Sequence, residues 1–503
     1  MNTGKICISI CAKTAAELRD KIERSADLAD LIEIRFDCLH DAEVLRALEL
    51  VLTRTERSAP LLATFRSKEQ GGSNQIDLAD RIRFWTSGIN KAFWGGDFEE
   101  DVIDVSIEAN WRNRIGSKHQ IEGEPFDTIS AYEKLASSDA SIIKIATNSD
   151  QVTDGLDVWK LLDRANVENK PFIPVAMGEA GKWTRILGPA FGAYMTYASL
   201  EAGTETAPGQ ISAEDLTNVF RVNELNKNTA VYGIIGGDTS YTASPWMHNA
   251  AFKEAEMNCV FIPIQVRDLD EFMTRMVDDE TREVEINFKG FSVTNPHKQT
   301  IIEHLHRIDK TAKVIGAVNT VKIENGELTG YNTDAPGFIA PLIKAFGKLK
   351  GANVGIAGAG GAARACTYAL KEEGANVFIY SRRAKKAAAL AEEFGVKAGS
   401  ATNTFRPGQI DILVNATPLG TKGEYEDASI ATASQMQGLK LVYDLVYNPF
   451  NTRLVQEAKI AGIPALGGAD MVLAQGRKQF EIWTGETAPF QAMGIALRKR
   501  LQS

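Results

Sequence analysis

Short apolar runs rich in β-branched residues alternate with helix-compatible segments from the start of the chain. Strands are predicted near Ile6–Ile10, Leu31–Arg35, Leu61–Phe65, Val102–Ser106, Ile115–His119, Ser141–Ala146, Phe172–Ala176 and Tyr194–Tyr197. Eight such runs, most of them a helix length apart, predict an α/β architecture that opens with a (β/α)8 barrel. One spacing is too short: between Ser106 and Ile115 a turn fits but a packing helix does not, so either the barrel lacks a helix there or the fifth strand is misplaced. Ser212-Ala213-Glu214-Asp215 has the capping-box pattern and predicts a last helix ending near Asn223. The polar stretch Asn223–Thr229 is the best boundary, after which the pattern restarts with Val231-Tyr232-Gly233-Ile234-Ile235-Gly236. A second shift falls near Lys348–Gly351, where the strand Val354–Ala357 runs into the glycine-rich segment 358–363 and then a helix.

Composition narrows the class. The 503 residues are 44% hydrophobic and 24% charged, which excludes collagen-like, disordered and disulfide-scaffold chains. At roughly 150 residues per domain, that length suggests about three domains. The 56 basic and 65 acidic residues give a net charge of -9, so no basic field gathers nucleic acid or an anionic membrane. Cys7, Cys11, Cys38, Cys259 and Cys366 form an odd, scattered set that predicts neither a disulfide framework nor a zinc site and suits a reducing compartment. Met1–Lys5 lead straight into a strand pattern with no signal-type apolar stretch, and no apolar run reaches the roughly 18 residues of a membrane span. The expectation is a soluble, cytoplasmic, multidomain protein.

In the first half, Glu33, Arg35 and Asp37 alternate and so share one face of a strand, where three charges need partners or a polar ligand. Arg66 follows a barrel strand at the C-terminal rim. A salt-bridged interior and a binding site account for these residues equally well. Lys144 is sharper, because it interrupts the apolar strand Ser141–Thr147. Burial penalises an ammonium and favours the neutral amine, which attacks carbonyls. The bland alternative is a lysine reaching solvent from a strand end. His119, at the rim end of the preceding strand, is placed to shuttle a proton, although a lone histidine is more often structural.

Together, Glu33-Ile34-Arg35-Phe36-Asp37, Thr64-Phe65-Arg66-Ser67, Ser117-Lys118-His119, Lys144-Ile145-Ala146-Thr147 and Ala207-Pro208-Gly209-Gln210 resemble the type I 3-dehydroquinate dehydratases, in order, over about residues 5–222. The resemblance implies that Lys144 forms a Schiff base with the substrate ketone. His119 would move the proton from the adjacent carbon, and water would leave without a metal. It also implies that Glu33, Arg35, Arg66, Arg185 and Gln210 hold the hydroxyls and carboxylate, with Thr206 where the family usually has serine. Gln70 is a second departure, in a loop where glutamate is commoner.

In the second half, the glycine run after Val354–Ala357 has the strand-to-helix context of a dinucleotide site, which assigns Gly358, Gly360, Gly361 and Ala362 to a pyrophosphate. The next strand ends in Ser381-Arg382-Arg383 with Lys385 and Lys386 following, cations where an NAD site carries an acid. That pattern favours a 2′-phosphate on Ser381, Arg382 and Lys386, hence NADP; the alternative is an exposed basic turn. Phe291–Lys298, Gly316–Thr320, Gly330–Asp334, Asn415–Gly420, Tyr447-Asn448-Pro449 and the Gln475 segment resemble the shikimate dehydrogenases over about residues 231–503. This resemblance implies Lys298 and Asp334 as the catalytic pair and Thr294, Asn319, Tyr447 and Gln475 as substrate ligands, with Thr417 beside the cofactor. The family's usual His-Ser-x-Ser-Pro is here Tyr241-Thr242-Ala243-Ser244-Pro245, so Thr242 and Ser244 keep the two hydroxyls that meet a carboxylate.

The resemblances divide the chain into a dehydratase barrel (1–224), a substrate lobe (230–345 with 465–503) and an NADP-binding Rossmann lobe (346–464). They imply a bifunctional enzyme that acts on small molecules, makes 3-dehydroshikimate and reduces it to shikimate. Two alternatives are a dehydrogenase half that prefers quinate and a non-catalytic sensor or repressor. A pure binder has no need of Lys144, His119, Lys298 and Asp334 together.

Overall fold

The computed structural model describes residues 4–54, 59–120, 124–399 and 408–502; Met1–Thr3 of the N-terminal reading lie outside them. The chain divides into two compact units, one running to Thr229 and including Ile264–Asn287, the other formed by Ala230–Pro263 with Phe288 onward. Residues 264–287, expected in the substrate lobe, thus group with the first unit.

The first unit is built on eight parallel strands: β1 (Ile6–Ile10), β2 (Leu31–Arg35), β3 (Leu61–Thr64), β4 (Gly95–Glu99), β5 (Arg114–His119), β6 (Ile142–Asn148), β7 (Phe172–Met177) and β8 (Thr196–Ser199). Their spatial order is β7-β6-β5-β4-β3-β2-β1-β8, and the two edges meet where Tyr194 N donates to Phe172 O at 2.8 Å. This is the expected (β/α)8 barrel. Helices start on side-chain caps: Thr14 accepts from Glu17 N, and Asp127 from Ile129 N and Ser130 N.

The fourth strand is the correction. Val102–Ser106 is not a strand; β4 lies at Gly95–Glu99, and Val105–Glu108 forms a single helical turn. Two glycines and two carboxylates hide β4 from an apolar-pattern reading, and only burial against the partners described below makes it a strand. The short spacing before Ile115 therefore holds a one-turn helix. The expected last helix ends earlier, in the wide turn Asp215–Val219. Cys11 and Cys38 also depart from expectation, being joined as a disulfide with Cα atoms 5.4 Å apart. They follow β1 and β2, which pair in register, so proximity arises across the sheet rather than along the chain.

Inward-facing positions change character along each strand. Leu31 gives way to Glu33 and Arg35, Leu62 to Thr64, Ile115 to Ser117 and His119, and Ile142 to Lys144. Apolar residues from several strands, Cys7, Leu31, Leu62, Ile115, Ile142 and Ile173 among them, plug the N-terminal end. The polar end is the C-terminal mouth, where barrel sites form.

The second unit carries two sheets. One orders the strands Cys259–Gln265, Ala230–Gly236, Phe288–Val293, Thr320–Glu324, Glu327–Tyr331 and Arg307–Ile308. Asn325 and Gly326, both at positive φ, turn its hairpin. The other is parallel, in the order Lys397–Ala398, Asn376–Tyr380, Asn353–Ala357, Ile412–Asn415, Leu441–Asp444 and Ala465–Leu466. That 3-2-1-4-5-6 order is the Rossmann arrangement. Among the described residues, no helix is long and apolar enough to cross a membrane.

Candidate active sites

A cavity of about 300 Å³ opens at the barrel mouth, and all eight barrel residues singled out from the sequence line it: Glu33, Arg35, Arg66, His119, Lys144, Arg185, Thr206 and Gln210. At its centre, Lys144 Nζ lies 2.9 Å from Asp97 Oδ2 and 4.1 Å from the centroid of the Tyr197 ring. Asp97 Oδ1 receives Arg66 Nη2 at 2.8 Å and Ser117 Oγ at 2.5 Å. Burial alone would raise the Asp97 carboxyl, but Arg66 and Lys144 override it and hold it well below the usual carboxylate range. Burial, then the charges of Arg66 and Lys144, push the His119 imidazole well below its ordinary value. His119 is therefore neutral at pH 7 and able to accept a proton.

The three arginines divide. Arg35 makes a bidentate pair with Asp37, Nε to Oδ1 at 2.8 Å and Nη2 to Oδ2 at 2.7 Å, and Arg66 is taken by Asp97 and Glu99. Arg185 is 2% exposed and has no acidic partner among the described residues; its Nη2 reaches only Pro208 O, at 3.4 Å, and its Nε has none. Burial lowers this guanidinium to about 10, which leaves it charged at pH 7. A buried, unneutralised guanidinium lining a cavity is a site for an anion. Asp37 itself lies in the turn Phe36–Cys38 rather than on β2, so the expected alternation stops at Arg35.

On the other wall, Thr206 Oγ1 donates to Ser9 Oγ at 2.8 Å and accepts from Gln210 Nε2 at 3.1 Å, while Ser9 Oγ donates to Glu33. Thr64 Oγ1 donates to the other Glu33 oxygen at 2.8 Å. Asp97, Glu99, Ser117 and Tyr197 were missed by the sequence reading. The first two sat on the strand that was misplaced.

In the second unit, Lys298 Nζ meets Asp334 Oδ2 at 2.5 Å, and Asn319 Nδ2 donates to Asp334 Oδ1 at 2.8 Å. Asp334 starts the helix Asp334–Phe346, and Lys298 follows the strand Phe288–Val293. Gln475 lies on the helix Ala469–Thr484, packed so closely on Gly337, one turn from Asp334, that a Cβ there would come within 3.0 Å of the Gln475 Cβ. Thr242 Oγ1 caps Ser244 N at 3.2 Å and is hydrogen-bonded with the half-buried Tyr447, whose neighbour Asn448 donates to Tyr241 O at 2.8 Å. Thr294 packs against Gly236, where a Cβ would meet its methyl at 2.4 Å.

The dinucleotide loop fits a pyrophosphate. A Cβ at Gly358 (φ +127°) would strike Ala416 O at 2.6 Å, and one at Gly361 would reach Lys298 Cβ at 3.0 Å, whereas Gly360, at the N-cap of Gly361–Glu372, faces open space. Close approach at Gly361 brings this loop against the lysine of the Lys298–Asp334 pair. Ser381 is half-buried, Arg382 and Lys386 are exposed, and Thr417 Oγ1 donates to Asn415 Oδ1 at 2.6 Å.

A lysine-centred cavity in a barrel, followed by a two-sheet dehydrogenase with a cationic cofactor rim, defines a fusion of a lyase with an NADP-dependent oxidoreductase. The family models agree: type I 3-dehydroquinase matches residues 6–227, the shikimate dehydrogenase substrate binding domain 234–321, shikimate/quinate 5-dehydrogenase 342–428 and the shikimate 5′-dehydrogenase C-terminal domain 468–493. The bifunctional chloroplastic 3-dehydroquinate dehydratase/shikimate dehydrogenase of Arabidopsis thaliana is 32% identical, over 97% of this chain and 83% of its own. The NADP(+) shikimate dehydrogenase of Methanocaldococcus jannaschii is 38% identical over 54% of this chain and 98% of its own. A crystal structure of a shikimate dehydrogenase in complex with NADP+ superimposes with a TM-score of 0.51 at 37% identity, covering 56% of this chain and 98% of that one. The chain belongs to the bifunctional 3-dehydroquinate dehydratase/shikimate dehydrogenase family.

Gln70 gives the barrel site its own signature. Its Oε1 accepts from His119 N at 3.0 Å and stands 3.4 Å from His119 Nδ1. Gln70→Glu places a carboxylate there, favours the imidazolium and raises the His119 pKa. The acid limb of dehydratase kcat/KM then moves up by about one pH unit. A pH profile of the variant checks this; an unmoved limb shows that Gln70 does not address the base.

Proposed function

We propose that Lys144 and His119 dehydrate 3-dehydroquinate in the barrel and that Lys298 and Asp334 serve the reduction of 3-dehydroshikimate to shikimate in the second unit. The observation that carries this reading is a pair of lysines each set on a carboxylate, Lys144 buried on Asp97 and Lys298 half-buried on Asp334. The Lys144 amine adds to the ketone carbon and water leaves as the iminium forms. His119 takes a proton from the adjacent carbon, and that electron pair moves into the iminium to give an enamine. The enamine re-forms the iminium as it expels the hydroxyl on the next carbon, which leaves as water with the proton from His119. Hydrolysis of the iminium frees the product and the amine. Asp97 balances the positive charge on the lysine nitrogen throughout. Arg185 takes the substrate carboxylate, and Glu33, Thr206 and Gln210 take its hydroxyls, with Arg35 and Arg66 completing the polar wall.

In the second unit, Thr242, Ser244 and Tyr447 receive the carboxylate of the substrate, and Thr294, Asn319 and Gln475 its ring hydroxyls. Lys298 donates to the carbonyl oxygen and protonates the developing alkoxide, while Asp334 orients the ammonium. NADPH, held by Gly358, Gly360, Gly361, Ala362, Ser381, Arg382, Lys386 and Thr417, supplies the hydride when bound. The domain limits of this reading are 1–224, 230–345 with 465–503, and 346–464. The same reading takes small molecules, and neither nucleic acid nor membrane, as partners, and places the enzyme in the cytoplasm.

Borohydride treatment in the presence of dehydroquinate is expected to add substrate mass to the Lys144 peptide. Full dehydratase activity in Lys144→Ala would remove the Schiff-base assignment. For the cofactor, a charge-assisted contact to the 2′-phosphate contributes roughly 1.5–3 kcal/mol, about 10–150-fold. Arg382→Ala should raise KM for NADPH by that factor and leave NADH nearly unchanged; equal losses with both would mean that Arg382 only supports the fold. Quinate needs room beside the carboxylate, where the buried Thr242 carries a methyl group. Shikimate should therefore exceed quinate at least 10-fold in kcat/KM, a difference of about 1–3 kcal/mol. Parity measured with NADP+ at one pH would favour the quinate reading.

A further inference from the structure

Beneath the Lys298–Asp334 pair runs a buried hydrogen-bonded chain that ends on a residue outside the assigned site. Gln479 lies one helical turn beyond Gln475 on the helix Ala469–Thr484, is 4% exposed, and has all four hydrogen-bonding positions of its amide occupied. Its Oε1 accepts from Ser292 Oγ at 2.9 Å and stands 3.3 Å from His248 Nε2. Its Nε2 faces Asn319 O at 3.3 Å and Thr320 Oγ1 at 3.2 Å.

These contacts set the direction of every later link. His248 is fully buried and stacked on Phe261, and burial pushes it down to about 3, so it is neutral. Its Nδ1 has no partner among the described residues, which leaves Nε2 to carry the proton toward Gln479. With both Oε1 lone pairs engaged, the Gln479 amide presents only N–H groups to Thr320. The Thr320 hydroxyl accepts there and donates to Asn319 Oδ1 at 2.9 Å. Asn319 Oδ1 also accepts from Thr333 N at 2.7 Å, so Asn319 Nδ2 is turned toward Asp334 Oδ1. If the Asn319 amide flipped, its oxygen would face the carboxylate, two acceptors against each other.

We propose that Gln479 is a positioning residue of the dehydrogenase: through Thr320 it fixes the Asn319 amide, which holds Asp334 in the orientation that receives Lys298. The proposal deepens the reading of Lys298 and Asp334 as the reacting pair and rests on it. The chain crosses between elements far apart in sequence, because Gln479 comes from the helix Ala469–Thr484 and its Nε2 partners are Asn319 and Thr320, at the start of the strand Thr320–Glu324. Its effect falls on turnover through Asp334, and on substrate binding as far as Asn319 also meets the ring hydroxyls, but not on the cofactor loop.

The test uses the full chain with Gln479→Leu and Thr320→Val, alone and combined, and Thr320→Ser, which keeps the hydroxyl. Shikimate oxidation with NADP+ gives kcat and KM, and NADP+ binding gives a dissociation constant that reports an intact second unit. Each single variant is expected to lose about 10-fold in kcat, the order of one hydrogen bond to a charged group, with NADP+ affinity within about 2-fold. The double variant should be no slower than the worse single, because the two act in series. Thr320→Ser should recover most of the rate. A kcat within about 2-fold of wild type in both single variants overturns the proposal, as do multiplying losses in the double variant.

A second readout needs no turnover. Labelling of Lys298 by an amine-directed reagent, read by peptide mass spectrometry, should rise in Gln479→Leu and Thr320→Val as its hold on Asp334 loosens. Unchanged labelling in variants that bind NADP+ normally overturns the relay. If wild type fails to oxidise shikimate, the functional reading of the site fails, while the labelling still decides the relay.

Discussion

Everything at the barrel mouth depends on one buried carboxylate, Asp97. Arg66 and Lys144 converge on it at 2.8 and 2.9 Å; without it Arg66 would keep only Glu99 and Lys144 no acidic partner among the described residues. The pattern extends sideways as an alternation of charge: Asp97, Arg66, Glu99, Arg81 and Asp101 neutralise one another in turn. Within that chain a lysine amine can be held at the floor of a cavity, beside a histidine that burial and then the same positive charges keep neutral. The arginine left out of the alternation, Arg185, is the one free to meet an anionic substrate.

The second unit solves a similar problem with different parts. There the lysine stands on Asp334 at the start of a helix, and the carboxylate is fixed by an asparagine rather than by arginines. The hydride source must come within reach of that lysine, and the missing side chain at Gly361 permits the cofactor loop to close against it. One pocket activates a carbonyl by binding it covalently, the other by protonating it. Both anionic substrates need a cation or hydroxyl donors for one carboxylate, which the net charge of -9 across the chain does not foretell. The proposed reading meets that requirement locally, with Arg185 in one unit and Thr242 and Ser244 in the other.

Much of this was legible from the sequence, and the failures have physical causes. Lys144 stood out because it interrupts an apolar strand and His119 because it ends the preceding one, whereas Lys298 was picked out only through the resemblance of its segment to the shikimate dehydrogenases. Seven of the eight barrel strands declared themselves by apolar runs. β4 did not, because Gly95, Gly96, Asp97 and Glu99 leave no apolar run, and the cations that receive its carboxylates come from elsewhere: Arg66 after β3, Arg81 on the helix Leu78–Thr86 and Lys144 on β6. The same blindness hid the Arg35–Asp37 pair inside an alternation that stops at Arg35, and it hid the Cys11–Cys38 bond, which joins ends of adjacent strands. Gln479 was hidden for a further reason: on a helix of mixed polarity it looks like a solvent-facing amide, and only the fold places Ser292, His248, Asn319 and Thr320 around it. Partners distant in sequence are the information that a pattern along the chain lacks.

The central claim is that one chain carries two chemistries in sequence, the product of the first being the substrate of the second. The most direct test gives the purified chain 3-dehydroquinate and NADPH together, with no other enzyme present, and follows NADPH absorbance and shikimate formation. The account predicts that NADPH is consumed in step with shikimate. It also predicts that Lys144→Ala abolishes consumption until 3-dehydroshikimate is added. Consumption of NADPH by Lys144→Ala from 3-dehydroquinate alone, or none by the wild-type chain, would contradict it.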